Sequence, residues 1–303
     1  MPRAARAGEM LELASGASMK TVLLVLVVLL LCAAGLVAAG QHRWRAATTR
    51  LISRMKRRGP APPPVRFSSA RLEGLPAPVR RYFRAVLRDG QPAVRHARVE
   101  QRGQFLLRPA ENGWRPFEAI QEFETRAPGF VWNARIRMAP GLVVRVRDAF
   151  VDGGGYMVAG LMGLVRLVHV EGTPEIAAGA LHRYLAEAVL VPTALLPSAG
   201  VVWTPLDDSS ARASLGVGAT TVSLDFHFGA DGLVRSVYTP ERARDVDGRS
   251  VPTPWQGRWS GYEERDGMRI PLAGEVEWLL PGGPQVYWRG RITAIAYEWE
   301  EER

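Results

Sequence analysis

The sequence predicts a mainly β (α+β) protein. It would be a single antiparallel, strongly curved sheet or half-barrel of about 10–11 strands, with a helix across the concave face and an N-terminal transmembrane helix. Three observations lead there. An uncharged apolar run extends from Thr21 to Ala39. Beyond residue 90 the apolar residues recur mostly with period two. One segment, near 174–190, interrupts that alternation with helix signals.

The apolar run is taken first. As a helix it rises about 28 Å, enough for a hydrocarbon core of about 30 Å. Residues 21–40 are therefore read as a membrane span, with the lipid bilayer as the partner of residues 21–39 and the cell membrane as the location. A cleaved signal peptide is the alternative, with Ala33-Ala34-Gly35 or Ala38-Ala39-Gly40 as the small-residue site. The run exceeds the roughly 7–15 residues of a signal core, and a basic stretch follows it. Met19-Lys20 offers a second start, so residues 1–20 are read as a tail.

Residues 41–64 read as a basic, Pro-rich linker. Arg43, Arg45, Arg50, Arg54, Lys56, Arg57 and Arg58 lie just beyond the span, so anionic headgroups near 43–58 are an expected partner. Gly59-Pro60-Ala61-Pro62-Pro63-Pro64 then favours an extended polyproline segment. Up to Pro64 there are ten Lys and Arg against two acids; from Val65 onward there are 29 Arg against 28 acids. The domain at 65–303 is thus nearly neutral, and nucleic acid is not expected as a partner. The positive-inside rule favours a cytoplasmic domain, although a long following domain weakens that rule.

Within the domain, a short amphipathic helix is predicted near 76–88. Val79, Tyr82, Phe83, Val86 and Leu87 share one face, and Asp89-Gly90 stops it. Strand alternation is clear where Phe130, Trp132, Ala134, Ile136 and Met138 interleave with Val131, Asn133, Arg135 and Arg137. It recurs over 142–147 and 221–228. Ala230-Asp231-Gly232, Asp247-Gly248, Asp266-Gly267 and Pro281-Gly282-Gly283 mark turns. The second helix opens on Thr173-Pro174-Glu175, an N-cap, a proline at the first helical position and an acid in the first turn. Pro192 and Pro197 bar its extension.

Composition excludes several chemistries. The one cysteine, Cys32, lies inside the apolar run, so the domain has no disulfide, thiolate metal site or cysteine nucleophile. No lysine follows Lys56, which removes Schiff-base chemistry. No nucleophile elbow, zincin or phosphate-loop motif occurs, and neither cofactor nor metal is expected. The weak catalytic candidates are Glu187, paired with Arg183 at i, i+4, with His182 or Asp208 assisting. A surface salt bridge and hydrogen-bonded structural histidines explain the same residues. Aromatics are the remaining signal: Trp255, Gly257, Trp259 and Gly261 alternate on one face, placing large rings beside empty positions. Such a face lines an apolar cavity or packs as core. The expected ligand-binding residues are Tyr184, Leu185, Trp203, Trp255 and Trp259, with Arg183 meeting a polar headgroup.

The runs Arg183-Tyr184-Leu185-Ala186-Glu187, Pro192-Thr193-Ala194-Leu195-Leu196-Pro197 and Gly200-Val201-Val202-Trp203 resemble a bacterial, membrane-associated family of unknown function. The resemblance continues through Asp208-Ser209-Ser210-Ala211 and Pro254-Trp255, covers roughly residues 70–300, and implies no activity. A looser likeness of architecture is to the periplasmic lipoprotein-carrier half-barrels, which shelter acyl chains; it implies an extracytoplasmic domain, against the charge bias. Those carriers are soluble or lipid-anchored, whereas this chain has a helix. The leading expectation is a membrane-tethered protein that binds an apolar or lipid-like ligand, with no catalytic activity assigned. The alternatives are an enzyme using Glu187 as acid or base, and a scaffold meeting another membrane protein through its sheet edge.

Overall fold

A computed structural model describes residues 3–57, 66–107 and 112–300, with no side-chain description before residue 19. The Pro-rich segment at 59–64 lies outside the described residues. Among the described residues there are three α-helices: α1 (Arg3–Lys56), α2 (Ala77–Val86) and α3 (Pro174–Glu187). Thirteen strands accompany them, all in one antiparallel sheet. The first group is β1 (Val94–Leu106), β2 (Trp114–Glu124), β3 (Gly129–Ala139), β4 (Leu142–Val151), β5 (Gly154–Leu161) and β6 (Val165–Glu171). After α3 come β7 (Val202–Asp207), β8 (Ser210–Val217), β9 (Thr220–Phe228), β10 (Val234–Val246), β11 (Arg249–Arg265), β12 (Met268–Leu280) and β13 (Gly283–Trp299).

The sheet order is 6-5-4-3-2-1-13-12-11-10-9-8-7. Two hairpin meanders therefore join at a central β1–β13 pair, and β6 and β7 form unpaired edges. The strand count exceeds the expected 10–11. Tight turns at Asp152-Gly153 and Met162-Gly163, all four residues at positive φ, cut the stretch 142–171 into three strands. Methionine rarely takes that conformation, so the second turn carries no sequence signal.

The sheet must curl. β5 and β9 stand nine strand spacings apart, about 43 Å on a flat sheet at about 4.8 Å each. Both nonetheless pack against α3, a cylinder about 10–12 Å across. α3 also touches β3, β4 and β10, so it lies in the hollow between the two wings. Its entry is fixed by Thr173, whose hydroxyl accepts from the Ile176 amide at 3.3 Å. Beyond Glu187 the chain continues as tight 3-10 turns over Ala188–Leu190, Pro192–Leu195 and Pro197–Ala199, carrying it to β7. α2 buries Val79, Tyr82, Phe83 and Val86, the stripe that its spacing predicts, against β8 and β12.

In this meander, alternate turns share an edge of the sheet. The turns after β1, β3, β5, β8, β10 and β12 form one edge, here the lower; the remaining turns and α2 form the upper.

α1 does not end at residue 40. It continues to Lys56 along the outer face of β2, β3 and β4, so residues 41–56 are a docked helix rather than a free linker. Met55 packs with Val131, Ala149 and Val151 near the upper edge. Trp44 Nε1 donates to Asn133 Oδ1 at 2.9 Å. At the lower edge Gly40 lies so close to Leu164 that a Cβ there would come within 2.5 Å of its side chain. The remaining apolar residues project past the lower edge, with a mean hydropathy of 3.2 over the best 18-residue window and none of it buried. By length and composition this helix can cross a membrane.

The protein engages four of the seven basic residues expected to meet headgroups, while Arg43 and Arg45 stay exposed and Arg58 lies outside the described residues. Arg54 pairs with Asp152 and Tyr156, each at 2.7 Å, and Lys56 reaches Glu298 at 3.4 Å. Arg50 and Arg57 bond carbonyls of their own helix.

Candidate ligand cavity

Along the lower side of α3, from Glu175 to Glu187, the curled sheet leaves a cavity of about 390 Å³. That volume falls within the roughly 300–1,000 Å³ of small-molecule sites. Its deep walls are Trp132, Trp255 and Trp259, at 2%, 2% and 7% exposure. Toward the lower edge the lining becomes accessible, with Leu107 at 37% and Val168 at 42%. The cavity thus has a buried floor and an open rim, and the rim lies on the edge where α1 leaves the sheet.

A row of small residues shapes the floor. Gly103, Gly290 and Gly274 are cross-strand neighbours on β1, β13 and β12, and Gly274 faces Trp259 on β11. A Cβ on Gly274 would lie 2.7 Å from the Trp259 ring, and one on Gly290 would lie 2.6 Å from the Trp288 ring. The glycines let both rings lie against the sheet, filling the role that sequence alternation suggests for Gly257 and Gly261. On the opposite wall, Gly179 of α3 faces open space: a Cβ there meets nothing within 4 Å.

Of the expected ligand-binding residues, Trp255, Trp259 and Arg183 line this cavity. Tyr184, Leu185 and Trp203 do not. Tyr184 stacks on Phe123 at 4.4 Å and donates to the Glu124 carbonyl at 3.2 Å, inside filled core. Leu185 is fully buried on the same side of α3. Trp203 packs on Phe226 at 5.1 Å and donates to the Leu195 carbonyl. The physical reason is the helical period: Arg183 and Ala186 face the cavity, whereas Tyr184 and Leu185, one step round, face the upper core.

Arg183 is held by protein. It donates to Asp148 Oδ2 at 2.7 Å, Glu187 Oε1 at 2.8 Å and Gln121 Oε1 at 3.3 Å, between the rings of Phe130 and Trp132. Burial opposes its charge, but Glu187 and Asp148 outweigh that and hold its pKa above the ordinary value. Gln121 also donates to Glu187 Oε2 at 2.6 Å. A guanidinium so occupied has few donors left for a headgroup.

The polar group that sequence reading missed is Arg242. It lines the cavity, donates to Tyr287 Oη at 3.1 Å and to the Gly179 carbonyl at 3.0 Å, and lies 4.7 Å from the Trp255 ring. Its Nε is buried with no acceptor, as is Nε1 of Trp259. Strict alternation from Thr239 would turn Arg242 outward. A bulge inserts one residue, pairing Thr239 with Trp255 and Arg242 with Thr253, and so returns Arg242 to the inner face. Pro240, inside the strand, was the available signal.

The weak catalytic candidates do not converge. Glu187 belongs to the Arg183 network. His182 sits in a different, polar pocket with Arg212, Ser223 and Asp225; burial, then the charge of Arg242, push its pKa down to about 4. Asp208 is in the β7–β8 turn, where its carbonyl accepts from Arg81. Among the described residues no cluster of His, Cys, Asp and Glu could hold a metal.

No curated protein matches the chain. Among solved structures it is similar to a domain from Vibrio parahaemolyticus described as an outer membrane lipoprotein-sorting protein, with TM-score 0.37, 8% identity, 67% of this chain covered and 86% of that one. A LolA superfamily protein from Nitrosomonas europaea gives TM-score 0.35 and 9% identity over 69% and 88% of the two chains. A β-barrel-like protein of unknown function from Brucella abortus gives 0.23 and 12% over 68% and 100%. Residues 73–297, from just before α2 into the last strand, match the model of the family of unknown function DUF6920, and the chain belongs to that family.

Proposed function

We propose that the chain is a membrane-held binding protein for an apolar, lipid-like ligand, which sits under α3 with its apolar part against Trp132, Trp255 and Trp259. The observation that carries this reading is an unfilled, Trp-walled cavity whose rim lies on the sheet edge from which the apolar helix projects. Filling it removes apolar surface from water at about 25 cal/mol per Å². The donors without acceptors, Arg242 Nε and Trp259 Nε1, favour a ligand that also carries an oxygen acceptor such as a carboxyl or ester. The rigid docking of residues 41–56 would hold the rim at a fixed height over the bilayer.

The test is to purify the full chain, exchange it into a lipid-free detergent and identify retained small molecules in an organic extract by mass spectrometry. One acyl-bearing molecule per chain is expected. A folded chain that retains nothing, and takes up no fatty acid when offered one, contradicts the reading.

A second reading, the scaffold, has one observation behind it: β6 is an unpaired edge on which Val165, Leu167 and Val168 are exposed. It predicts a stoichiometric membrane-protein partner after cross-linking, lost when Leu167→Lys is introduced.

A further inference from the structure

Two arginines on the outer face of β4 have opposite surroundings. Arg147 is buried and satisfied by α1: its Nε donates to Thr48 Oγ1 and its terminal nitrogen to the Trp44 carbonyl, each at 3.0 Å. The Trp44 ring lies 4.4 Å from its guanidinium. Arg145, two residues nearer the lower edge, is as deeply buried at 7% exposure, yet no carboxylate, carbonyl or ring among the described residues receives it. Its directly opposed neighbour on β3 is another arginine, Arg135.

Arg135 and Arg145 line an open groove of about 730 Å³ together with Arg115, Arg137 and Gln41, and among the described residues no acid lies on its wall. Glu118, across from Arg135 on β2, is drawn toward Arg102 at 3.7 Å. Burial, then the charges of Arg135 and Arg45, push the pKa of Arg145 below its ordinary value. Like charges directly opposed destabilise a sheet. An anion in the groove would reverse that effect. The guanidinium fork matches phosphate oxygens in bidentate fashion. Position agrees: Gln41 follows Gly40, the point where α1 leaves the sheet toward its apolar stretch.

We propose that this groove is a phosphate-binding site, with Arg145 and Arg135 as its charged floor and Arg115 and Arg137 at its rim, occupied by the headgroup phosphate of an anionic lipid or by free phosphate. It is distinct from the α3 cavity. Ile136 and Val146, which alternate with these arginines, line that cavity on the other face of the sheet. Neither site requires the other.

The test uses the full chain and three media: nanodiscs of phosphatidylcholine, nanodiscs with one third phosphatidylglycerol, and neutral detergent with or without millimolar inorganic phosphate. The melting temperature is read for wild type, Arg145→Met, Arg135→Met and the exposed control Arg269→Met. Wild type is expected to gain stability from phosphatidylglycerol, from phosphate, or from both. A gain from the lipid alone assigns a headgroup, and one from phosphate in detergent assigns a soluble anion. Arg145→Met should lose at least half of that gain and, in phosphatidylcholine alone, melt above wild type, which removal of a purely structural arginine would not produce. Arg135→Met, at an exposed position, should lose the same gain and carries the test if Arg145→Met does not fold. No gain in wild type, or equal gains in Arg135→Met and Arg269→Met, overturns the site.

Discussion

The upper and lower halves of the concave face are built from the same residue types but end differently. In the upper half Phe123 stacks on Tyr184, and Trp203 packs with Phe226 and Phe228. There α2 closes the end with Tyr82 and Phe83, 5.8 Å and 6.5 Å from Phe228 and Trp203. In the lower half Trp132, Trp255 and Trp259 surround a space. Rings therefore do not tell core from cavity; the covering element does. The 3-10 turns at 188–199 and α2 cap the upper end. Among the described residues no helix caps the lower one.

The largest expected contrast comes from truncating a residue in the filled half. Leu185→Ala should cost about 2–5 kcal/mol in denaturant unfolding, because close-packed neighbours leave a cavity behind. Ligand content per folded chain should stay as in wild type. A loss of ligand with little loss of stability would move Leu185 into the site and erase the distinction between the halves.

Next comes pH. His182 is buried neutral, with a pKa pushed down to about 4 against an ordinary value of 6.5. A base whose folded pKa is depressed contributes stability that is complete above about pH 6.5 and lost as pH falls toward 4. The loss is up to about 3 kcal/mol. Comparing wild type with His182→Gln isolates this from carboxylates that titrate over the same window; the variant should show the shallower decline. Equal slopes would mean that the imidazole is solvated.

The buried ion network should respond more modestly. Asp148→Ala removes one of two carboxylates from Arg183 and is expected to cost about 1.5–3 kcal/mol, because Glu187 still offsets the charge. Glu187→Gln, whose amide oxygen still accepts from Arg183 but whose NH2 is turned toward the Gln121 NH2, should cost a comparable amount. The enzyme alternative predicts instead an activity lost at unchanged stability.

Much of the fold was legible because it is written in periods. The α2 stripe, the Thr173-Pro174 start of α3, the alternation over 130–138 and the apolar run all follow from spacing. What spacing could not carry was anything that breaks it. The bulge after Thr239 turned Arg242 inward, and the Met162-Gly163 turn separated β5 from β6. Of the cavity, Trp255 and Trp259 were readable from alternation, whereas Tyr184 and Leu185 were expected there as apolar positions of the helix near 174–190 and Trp203 as one of the many aromatics. The docking of residues 41–56 was hidden for another reason: a basic stretch after an apolar run reads as a headgroup signal until Asp152, Asn133 and Tyr156, about a hundred residues away, are placed beside it.

The smallest expected change in stability tests the central claim most directly. Gly179→Leu projects a side chain into space where a Cβ meets nothing within 4 Å, so it should fill the cavity without strain. Replacing a mid-helix glycine should leave stability unchanged or raise it by up to about 1 kcal/mol. Bound acyl-bearing molecules per chain would be counted for wild type and Gly179→Leu, prepared identically and checked for equal melting. About one in the wild type and none in the variant is the predicted result. Equal occupancy in both would place the ligand elsewhere and contradict the account.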